Sequence, residues 1–167
     1  EPIKPLAHPK CNTWSDEINL NQVNQLLLVA EQGIGDTLQF MRYANILKQN
    51  GIKVSFCAQV KLHSLIQASG IDPSPLTPQQ ADAVSEGQWI PLLSTPRRLE
   101  VSPTNPIITE PYIKTTGKLL TKWSDILSRE KQPIIAINWQ GNPQTEKMSL
   151  KGRSLALEAF APITHKT

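Results

Sequence analysis

The spacing of the hydrophobic positions changes near residue 33. An unbroken apolar run at 26–30 is typical of a buried parallel strand, because such strands are covered on both faces. After residue 36 the apolar positions follow helical spacing instead, at Phe40, Tyr43, Ala44 and Leu47. Gly33 and Gly35 lie between the two patterns and make a tight turn. The pattern therefore predicts a strand, a glycine turn and a helix, which together open a βαβ unit.

The same rhythm repeats in the next stretch of the chain. The first helix is predicted over 36–49, and Gly51 falls where a C-terminal cap glycine belongs. Residues 53–59 then have the pattern of a second strand and residues 60–69 that of a second amphipathic helix, which Gly70 ends. Alternating strands and helices of this kind predict an α/β fold with a parallel sheet and right-handed crossovers.

Beyond residue 70 the pattern is less regular and predicts shorter elements. Two further strands are expected, at 89–94 and 133–139. Three further helical segments are expected, at 96–99, 116–129 and 155–161, with Ser154 as a candidate cap of the last. The proline-containing stretches between these elements are expected to be loops or extended chain, at 71–86 and 101–113.

The length bounds the number of domains. A chain of 167 residues is long enough for one domain with a core, or for one domain and part of another. Residues 1–22 are polar and contain Pro2, Pro5 and Pro9, so we predict a lead-in or linker there. Trp14 is expected to pin this stretch to the domain, since an indole ring buries a large apolar area.

Charge and cysteine content narrow the class of protein. A net charge of +3, with few aromatic residues and no basic run, gives no support for nucleic-acid binding. Cys11 and Cys57 lack the spacing of a metal or redox site, and Cys57 is expected to be a buried core thiol. No run approaches the ~20 apolar residues of a membrane helix, and nothing suggests secretion. We therefore expect a cytoplasmic protein without a membrane span.

Asp36 gives the glycine turn its chemical character. A dinucleotide site needs a third glycine, and Leu38 occupies that position here. A helix N-terminus attracts anions, but the Asp36 charge would repel a pyrophosphate from it. At the carboxyl end of a strand, Asp36 is placed to accept a proton from a hydroxyl group. The alternative is that Asp36 only caps its helix, and the two roles are compatible.

Two blocks of residues resemble a known family. The block at 31–43 is similar to the signature that opens the catalytic region of bacterial proteins in which tetratricopeptide repeats are joined to a glycosyltransferase-like domain. A shorter form of it, Gly-Asp after an apolar strand, occurs in the related heptosyltransferases. The block from 135–143 through Arg153 and Ser154 is similar to a later motif of the same proteins. The resemblance spans roughly residues 24–162, with minor landmarks at 91–96 and 110–112.

The resemblance implies a GT-B architecture, in which two Rossmann-like halves face a cleft. Residues 23–132 would form the acceptor-side Rossmann-like domain, a parallel sheet with flanking helices. Residues 133–167 would begin a truncated donor-side domain, so we expect this chain alone to be inactive. The complete enzyme would transfer a hexosyl or heptosyl group from a nucleotide sugar to a hydroxyl of a glycan or protein acceptor. No metal or other cofactor is expected.

The resemblance also implies roles for individual residues. Asp36 would act as general base. The substrate-binding residues would be Gln32, Gly33, Gly35, Gln39, Asn142, Arg153 and Ser154. Lys147 and Arg153 would offset phosphate charge, unless they are solvated surface charges. The loop at 144–152 departs from the family pattern. This departure favours an alternative, a degenerate non-catalytic module that serves protein–protein interaction in a tetratricopeptide-repeat scaffold.

Other polar residues have simpler interpretations. His63 is expected to be a surface or packing histidine. Arg97 and Arg98 are expected to be solvated charges, with contact to an acidic ligand as the alternative. Arg42 is expected to form an ion pair with Glu31 or another carboxylate rather than to act in catalysis. A free-standing flavodoxin-like nucleotide binder is disfavoured by the acidic first loop.

Overall fold

The first of two compact units contains a parallel β-sheet. The computed structural model describes residues 4–31, 33–107, 110–141, 146, 152 and 154–164. The units are Glu1–Thr121 and Lys122–Thr167. The strands of the first unit are β1 (Asn12–Thr13), β2 (Gln25–Val29), β3 (Lys53–Cys57) and β4 (Gln88–Pro91). They are all parallel and lie in the order β1-β4-β2-β3, so the predicted α/β class with a parallel sheet is confirmed.

Short helices follow the strands in the first unit. They are α1 (Ile34–Phe40), α2 (Tyr43–Gln49), α3 (His63–Ala68), α4 (Pro78–Asp82) and α5 (Thr95–Arg98), and α6 (Gly117–Leu127) follows. Single 3₁₀ turns precede β2, α3 and α5, at Leu20–Gln22, Val60–Leu62 and Leu92–Ser94. None of the helices in the described ranges is long and apolar enough to cross a membrane.

The central strand β2 is apolar because both of its faces are covered. Leu26 and Leu28 belong to the larger core cluster, which also contains Phe56 and Ile66. Leu27, Val29 and Cys57 belong to a second cluster, with Ala7 and Ala81. This alternation follows the two-residue period of a strand. The prediction of a buried core thiol at Cys57 is confirmed.

The helix predicted over 36–49 is divided into α1 and α2. The division falls at Met41 and Arg42, where side chains bind the last carbonyls of α1. The Tyr112 hydroxyl donates to the Leu38 carbonyl at 2.7 Å, and Arg42 Nε donates to the Gln39 carbonyl at 2.7 Å. Because side chains satisfy these carbonyls, the backbone does not need to continue the helical ladder there.

The lead-in at 1–22 contributes to the core of the first unit. Its residues 12 and 13 form β1, which pairs with β4 at the edge of the sheet. Trp14 is 2% exposed, and its Nε1 donates to the Ile18 carbonyl at 2.9 Å. The prediction that Trp14 pins this stretch to the domain is therefore confirmed.

Two elements differ from the sequence pattern between residues 71 and 94. Helix α4 lies inside the stretch predicted as a loop, where Thr77 forms a capping box with Gln80 and Pro78 takes the first helical position. Strand β4 ends at Pro91, three residues earlier than predicted, and a 3₁₀ turn follows it. The helical segments predicted at 96–99 and 116–129 are confirmed as α5 and α6.

The second unit has less regular structure than its sequence predicts. No strand forms within the described residues 131–141, and Ile134 and Ile135 are 54% and 65% exposed. The strand predicted at 133–139 is therefore wrong. Near residue 160 a 3₁₀ turn (Leu157–Phe160) leads into α7 (Ala161–Thr164). Ser154 does not cap this turn, because the N-cap residue is Ala156; the Ser154 hydroxyl instead accepts a hydrogen bond from the Gly141 N–H at 2.9 Å.

Candidate functional site

The strand order identifies one edge of the sheet as a place for a ligand. β3 lies on one side of β2, and β4, the next strand along the chain, lies on the other side. The connections therefore diverge at β2, and in open α/β sheets the crevice at such a point, outside the carboxyl ends of the strands, is where ligands bind. The segment that leaves β2 at this edge leads to Gly33, Gly35 and Asp36.

Asp36 lies in the first turn of α1. The N-cap of this helix is Gly33, which forms no side-chain cap, and Asp36 is the third helical residue. Its side chain is exposed, and no described residue donates a hydrogen bond to its carboxylate. Asp36 is therefore not the N-cap residue, although a negative charge in the first turn stabilises a helix by about 0.3–1 kcal/mol. Its carboxylate is available to a ligand.

The two glycines of the turn have different structural roles. A Cβ atom on Gly33 would lie 2.0 Å from Asp36 Oδ2, so the carboxylate rests directly against the Gly33 backbone. Gly33 has an ordinary φ of −76°, so a larger residue there would meet no backbone strain, but the Asp36 side chain would have to move aside. A Cβ atom on Gly35 would meet nothing within 4 Å.

Glu31 is a site residue that the sequence pattern did not identify. It follows β2, is 5% exposed, and accepts a hydrogen bond from the Leu93 N–H at 3.3 Å through Oε1. Burial raises the pKa of the Glu31 carboxyl, and the Asp36 charge raises it further, although hydrogen bonding to the Leu93 N–H works against the rise. The sequence feature that could have identified Glu31 is its position as an acidic residue directly after a buried strand.

Gln59 joins the ends of two neighbouring strands. Two residues after β3, its Nε2 donates to the Glu31 backbone carbonyl at 2.6 Å. Its Oε1 accepts from the Thr37 hydroxyl at 3.1 Å, and that hydroxyl also lies 2.9 Å from the Gly33 carbonyl. Thr37 is 1% exposed. Gln59 therefore joins the start of α1 and the end of β2 to the segment that follows β3.

Helix α1 also carries Gln39, which lies on its exposed side. At the end of α1, Arg42 lies over the Tyr112 ring at 5.1 Å and its Nη2 donates to the Tyr112 hydroxyl at 3.3 Å. The ion pair expected between Arg42 and Glu31 is not formed. Glu31 is buried at the start of the turn, whereas the Arg42 guanidinium is used at the far end of α1.

Four of the predicted site residues lie on one helix of the first unit. Gly33, Gly35, Asp36 and Gln39 all lie between the N-cap and the last turn of α1. Ser154 belongs to the second unit. The remaining predicted binding residues lie outside the described residues: Gln32, Asn142, Lys147 and Arg153.

The other candidate polar residues have structural roles. His63 Nε2 lies 3.1 Å from the Ala58 carbonyl, which confirms a packing histidine. The Arg97 side chain is 78% exposed, as expected of a solvated charge. Arg98 was expected to be solvated as well, and this is wrong. Its side chain is only 15% exposed, pairs with Asp16 and lies 4.8 Å from the Trp14 ring.

A cavity of about 540 Å³ lies away from Asp36. It is lined by residues that precede β2 and β3 and by the end of α5, among them Asn19, Asn50 and Leu99. The guanidinium groups at its wall, those of Arg97 and Arg98, are already paired with Asp16. In the part of the chain that the structure describes, no group of three or more His, Cys, Asp or Glu residues is placed to hold a metal ion.

The fold and the site define an α/β protein with an acidic turn at the carboxyl edge of its parallel sheet. A scan against protein-family models, a search of curated proteins and a search of solved structures each found no match to this chain. The function therefore has to be argued from the residues of the site.

Proposed function

We propose that this chain is the acceptor-side half of a GT-B glycosyltransferase, with Asp36 as its general base. The observation that carries the proposal is the Asp36 carboxylate, which is exposed and receives no hydrogen bond from a described residue. It lies in the first turn of α1, after the central strand at which the strand order diverges. A ligand hydroxyl at this edge would find an unoccupied acceptor there.

The charge of the turn favours a neutral polyhydroxylated ligand over a phosphate. Helix N-termini commonly bind phosphate, but here Asp36 provides a negative charge in the first turn. A nucleoside diphosphate would be repelled from this position, whereas a sugar hydroxyl would donate a hydrogen bond to the carboxylate. The acidic turn therefore supports a role on the acceptor side, and the donor would be bound by a second half.

In the proposed reaction Asp36 removes the proton from an acceptor hydroxyl. The hydroxyl oxygen forms a bond to the anomeric carbon of a nucleotide sugar as the bond from that carbon to the diphosphate oxygen breaks. The nucleoside diphosphate leaves with the electron pair of the broken bond. Gln39, one turn after Asp36 on the exposed side of α1, would bind another hydroxyl of the acceptor sugar. No step requires a metal ion.

A second candidate function is a non-catalytic module in a tetratricopeptide-repeat protein, where it would contact protein partners. Helix α6 favours this candidate because its large apolar side chains are exposed, for example Leu120 at 63% and Trp123 at 51%. Exposed apolar surface of this kind is typical of interaction sites. The two candidates differ in whether the protein binds nucleotide sugars.

The test compares the full-length protein with its Asp36→Asn and Glu86→Gln variants. Glu86 is an exposed carboxylate that precedes β4, so its substitution removes the same charge at the other end of a strand. Transfer from UDP-, GDP- and ADP-sugars to a panel of saccharide acceptors is measured, with calorimetric titration of each donor. We expect Asp36→Asn to lose transfer by about 10²–10⁴-fold, and Glu86→Gln to retain it. Equal rates in the wild type and Asp36→Asn would refute the role of Asp36. Absence of donor binding would favour the non-catalytic module.

A further inference from the structure

Glu31, which follows β2, accepts hydrogen bonds from the segments that follow both neighbouring strands. On one side, Gln59 Nε2 donates to the Glu31 carbonyl at 2.6 Å. On the other side, the Leu93 N–H after β4 donates to the Glu31 carboxylate at 3.3 Å. The Glu31 main chain and side chain therefore bind to opposite sides of β2, at the point where the strand order diverges.

The orientation of the Gln59 amide follows from its partners. The Glu31 carbonyl can only accept a hydrogen bond, so the NH₂ group of Gln59 must face it. The amide oxygen then faces the Thr37 hydroxyl at 3.1 Å and accepts from it. A hydroxyl has one proton, which Thr37 shares between Gln59 and the Gly33 carbonyl at 2.9 Å. The contacts form one chain from Glu31 through Gln59 and Thr37 to Gly33.

The chain ends at the residue against which the Asp36 carboxylate lies. Gly33 accepts from the Thr37 hydroxyl at 2.9 Å and from the Thr37 N–H at 3.0 Å through the same carbonyl. The Asp36 side chain occupies the space beside the Gly33 Cα. A displacement of Gly33 would therefore change the space in which the Asp36 carboxylate lies.

We propose that Glu31 and Gln59 are positioning residues, which hold the Gly33–Thr37 turn so that the Asp36 carboxylate keeps its place at the carboxyl edge of β2. Glu31 acts through its backbone carbonyl and its buried carboxylate, and Gln59 acts through the Thr37 hydroxyl. In this role neither residue needs to touch the substrate. The inference rests on the proposed function only in taking Asp36 as the reacting group, since the hydrogen bonds themselves do not depend on it.

The test uses nuclear magnetic resonance of this chain to measure how firmly the turn and the Asp36 carboxylate are held. Gln59→Leu removes both amide bonds with little change of volume, and Thr37→Val removes the hydroxyl, whereas Thr37→Ser retains it. Gln67→Leu is the matched control, because the exposed Gln67 Nε2 also donates to a backbone carbonyl, that of Pro73 at 3.2 Å. The readouts are hydrogen exchange at the Thr37 amide, the Asp36 carboxyl carbon shift and the Gly33-to-Asp36 proton cross-peak.

We expect exchange at the Thr37 amide to be about three- to tenfold faster in Gln59→Leu and Thr37→Val. The Asp36 carboxyl signal should move and the cross-peak should weaken in the same two variants. Thr37→Ser and Gln67→Leu should resemble the wild type, and the amides of Leu27 and Leu28 should stay protected, which shows that the sheet is intact. Unchanged Thr37 exchange and an unchanged Asp36 signal in folded Gln59→Leu would overturn the proposal.

The buried carboxylate is tested by a second pair of variants. Glu31→Gln keeps an oxygen that can accept from the Leu93 N–H, whereas Glu31→Met removes it at similar length. Both variants remove the carboxyl, so they are compared with each other: we expect faster exchange at the Leu93 amide in Glu31→Met than in Glu31→Gln, and a different Asp36 signal. Equal spectra for the two variants would overturn the role of the carboxylate. The proposed function can fail independently of this inference. In that case the protein would transfer no sugar, although its turn would still respond to the substitutions as described.

Discussion

The Asp36 carboxylate occupies the space beside the Gly33 Cα, where a Cβ atom would lie 2.0 Å from Oδ2. The position of a candidate catalytic group is thus linked to the absence of a side chain three residues earlier. Gly33 has no unusual backbone angle, so a side chain at this position would act on the Asp36 carboxylate rather than on the backbone. Gly35 lies in the same turn and has open space around its Cα.

The two glycines should therefore respond differently to alanine. Gly33→Ala would rotate the Asp36 carboxylate away and replace a favourable N-cap residue, so we expect a loss of about 1 kcal/mol in the free energy of unfolding. Gly35 lies inside α1, so Gly35→Ala should raise the free energy of unfolding by about 0.5–1 kcal/mol. Urea unfolding of the two variants measures both changes. An equal effect of the two substitutions would contradict the packing described for Gly33.

The buried Glu31 predicts a pH dependence of stability. Its pKa is raised in the folded state, mainly by burial, so the native protein binds this proton more tightly than the unfolded chain does. The resulting stabilisation is complete below the unfolded value of ~4.3 and is lost as the pH rises through the folded pKa. Relative to Glu31→Gln, the wild type should therefore be more stable at pH 4 than at pH 7. Urea unfolding across this range tests the sign, and a difference that does not vary with pH would contradict it.

Tyr112 predicts a stability effect at the break between α1 and α2. Tyr112→Phe removes the hydroxyl that donates to the Leu38 carbonyl, so we expect a loss of about 0.5–1.5 kcal/mol in the free energy of unfolding. Tyr43→Phe is the control, because the Tyr43 hydroxyl forms no hydrogen bond with a described residue. Thermal unfolding of both variants gives the comparison. Equal losses would show that the Tyr112 hydroxyl does not stabilise the end of α1.

The cysteines should be unreactive in the folded protein. Burial, together with the Asp82 charge, raises the pKa of the Cys57 thiol to about 11, and burial also raises that of Cys11. The thiolate is the reactive form, so a disulfide reagent at pH 7.5 should modify neither residue rapidly. Both should react once the chain is unfolded in guanidinium chloride. If the native protein rapidly released one equivalent of the reagent's thiol, and the Cys57→Ser variant did not, the burial of Cys57 would be contradicted.

The sequence predicted the central elements because their patterns are strong. The apolar run of β2 and the glycines of the turn gave the strand and the start of α1. Strand β1 has only two residues in a polar stretch, and its pairing with β4 is a tertiary effect that periodicity does not encode. Residues 133–139 show the opposite error, because their apolar pattern predicts a strand that does not form. An apolar run forms a strand only where the fold supplies a neighbouring strand to pair with it.

The site was predictable only in part. Asp36 could be predicted as a site residue because its position follows from the local succession of strand, glycine turn and helix in the sequence. Glu31 and Gln59 acquire their roles from contacts with residues far away in sequence, such as Leu93 and Thr37. Burial raises the pKa of Glu31, and burial depends on the packed structure rather than on the residues adjacent in sequence.

The pairing of β1 with β4 has a consequence for the order of folding. It joins residue 12 to residue 88, whereas β2 and β3 are joined by the local connection from residue 29 to residue 53. Closing the longer loop costs more chain entropy, so β2 and β3 should associate first. The first strand in the sequence then docks last, and the edge of β4 stays open to other chains until it does.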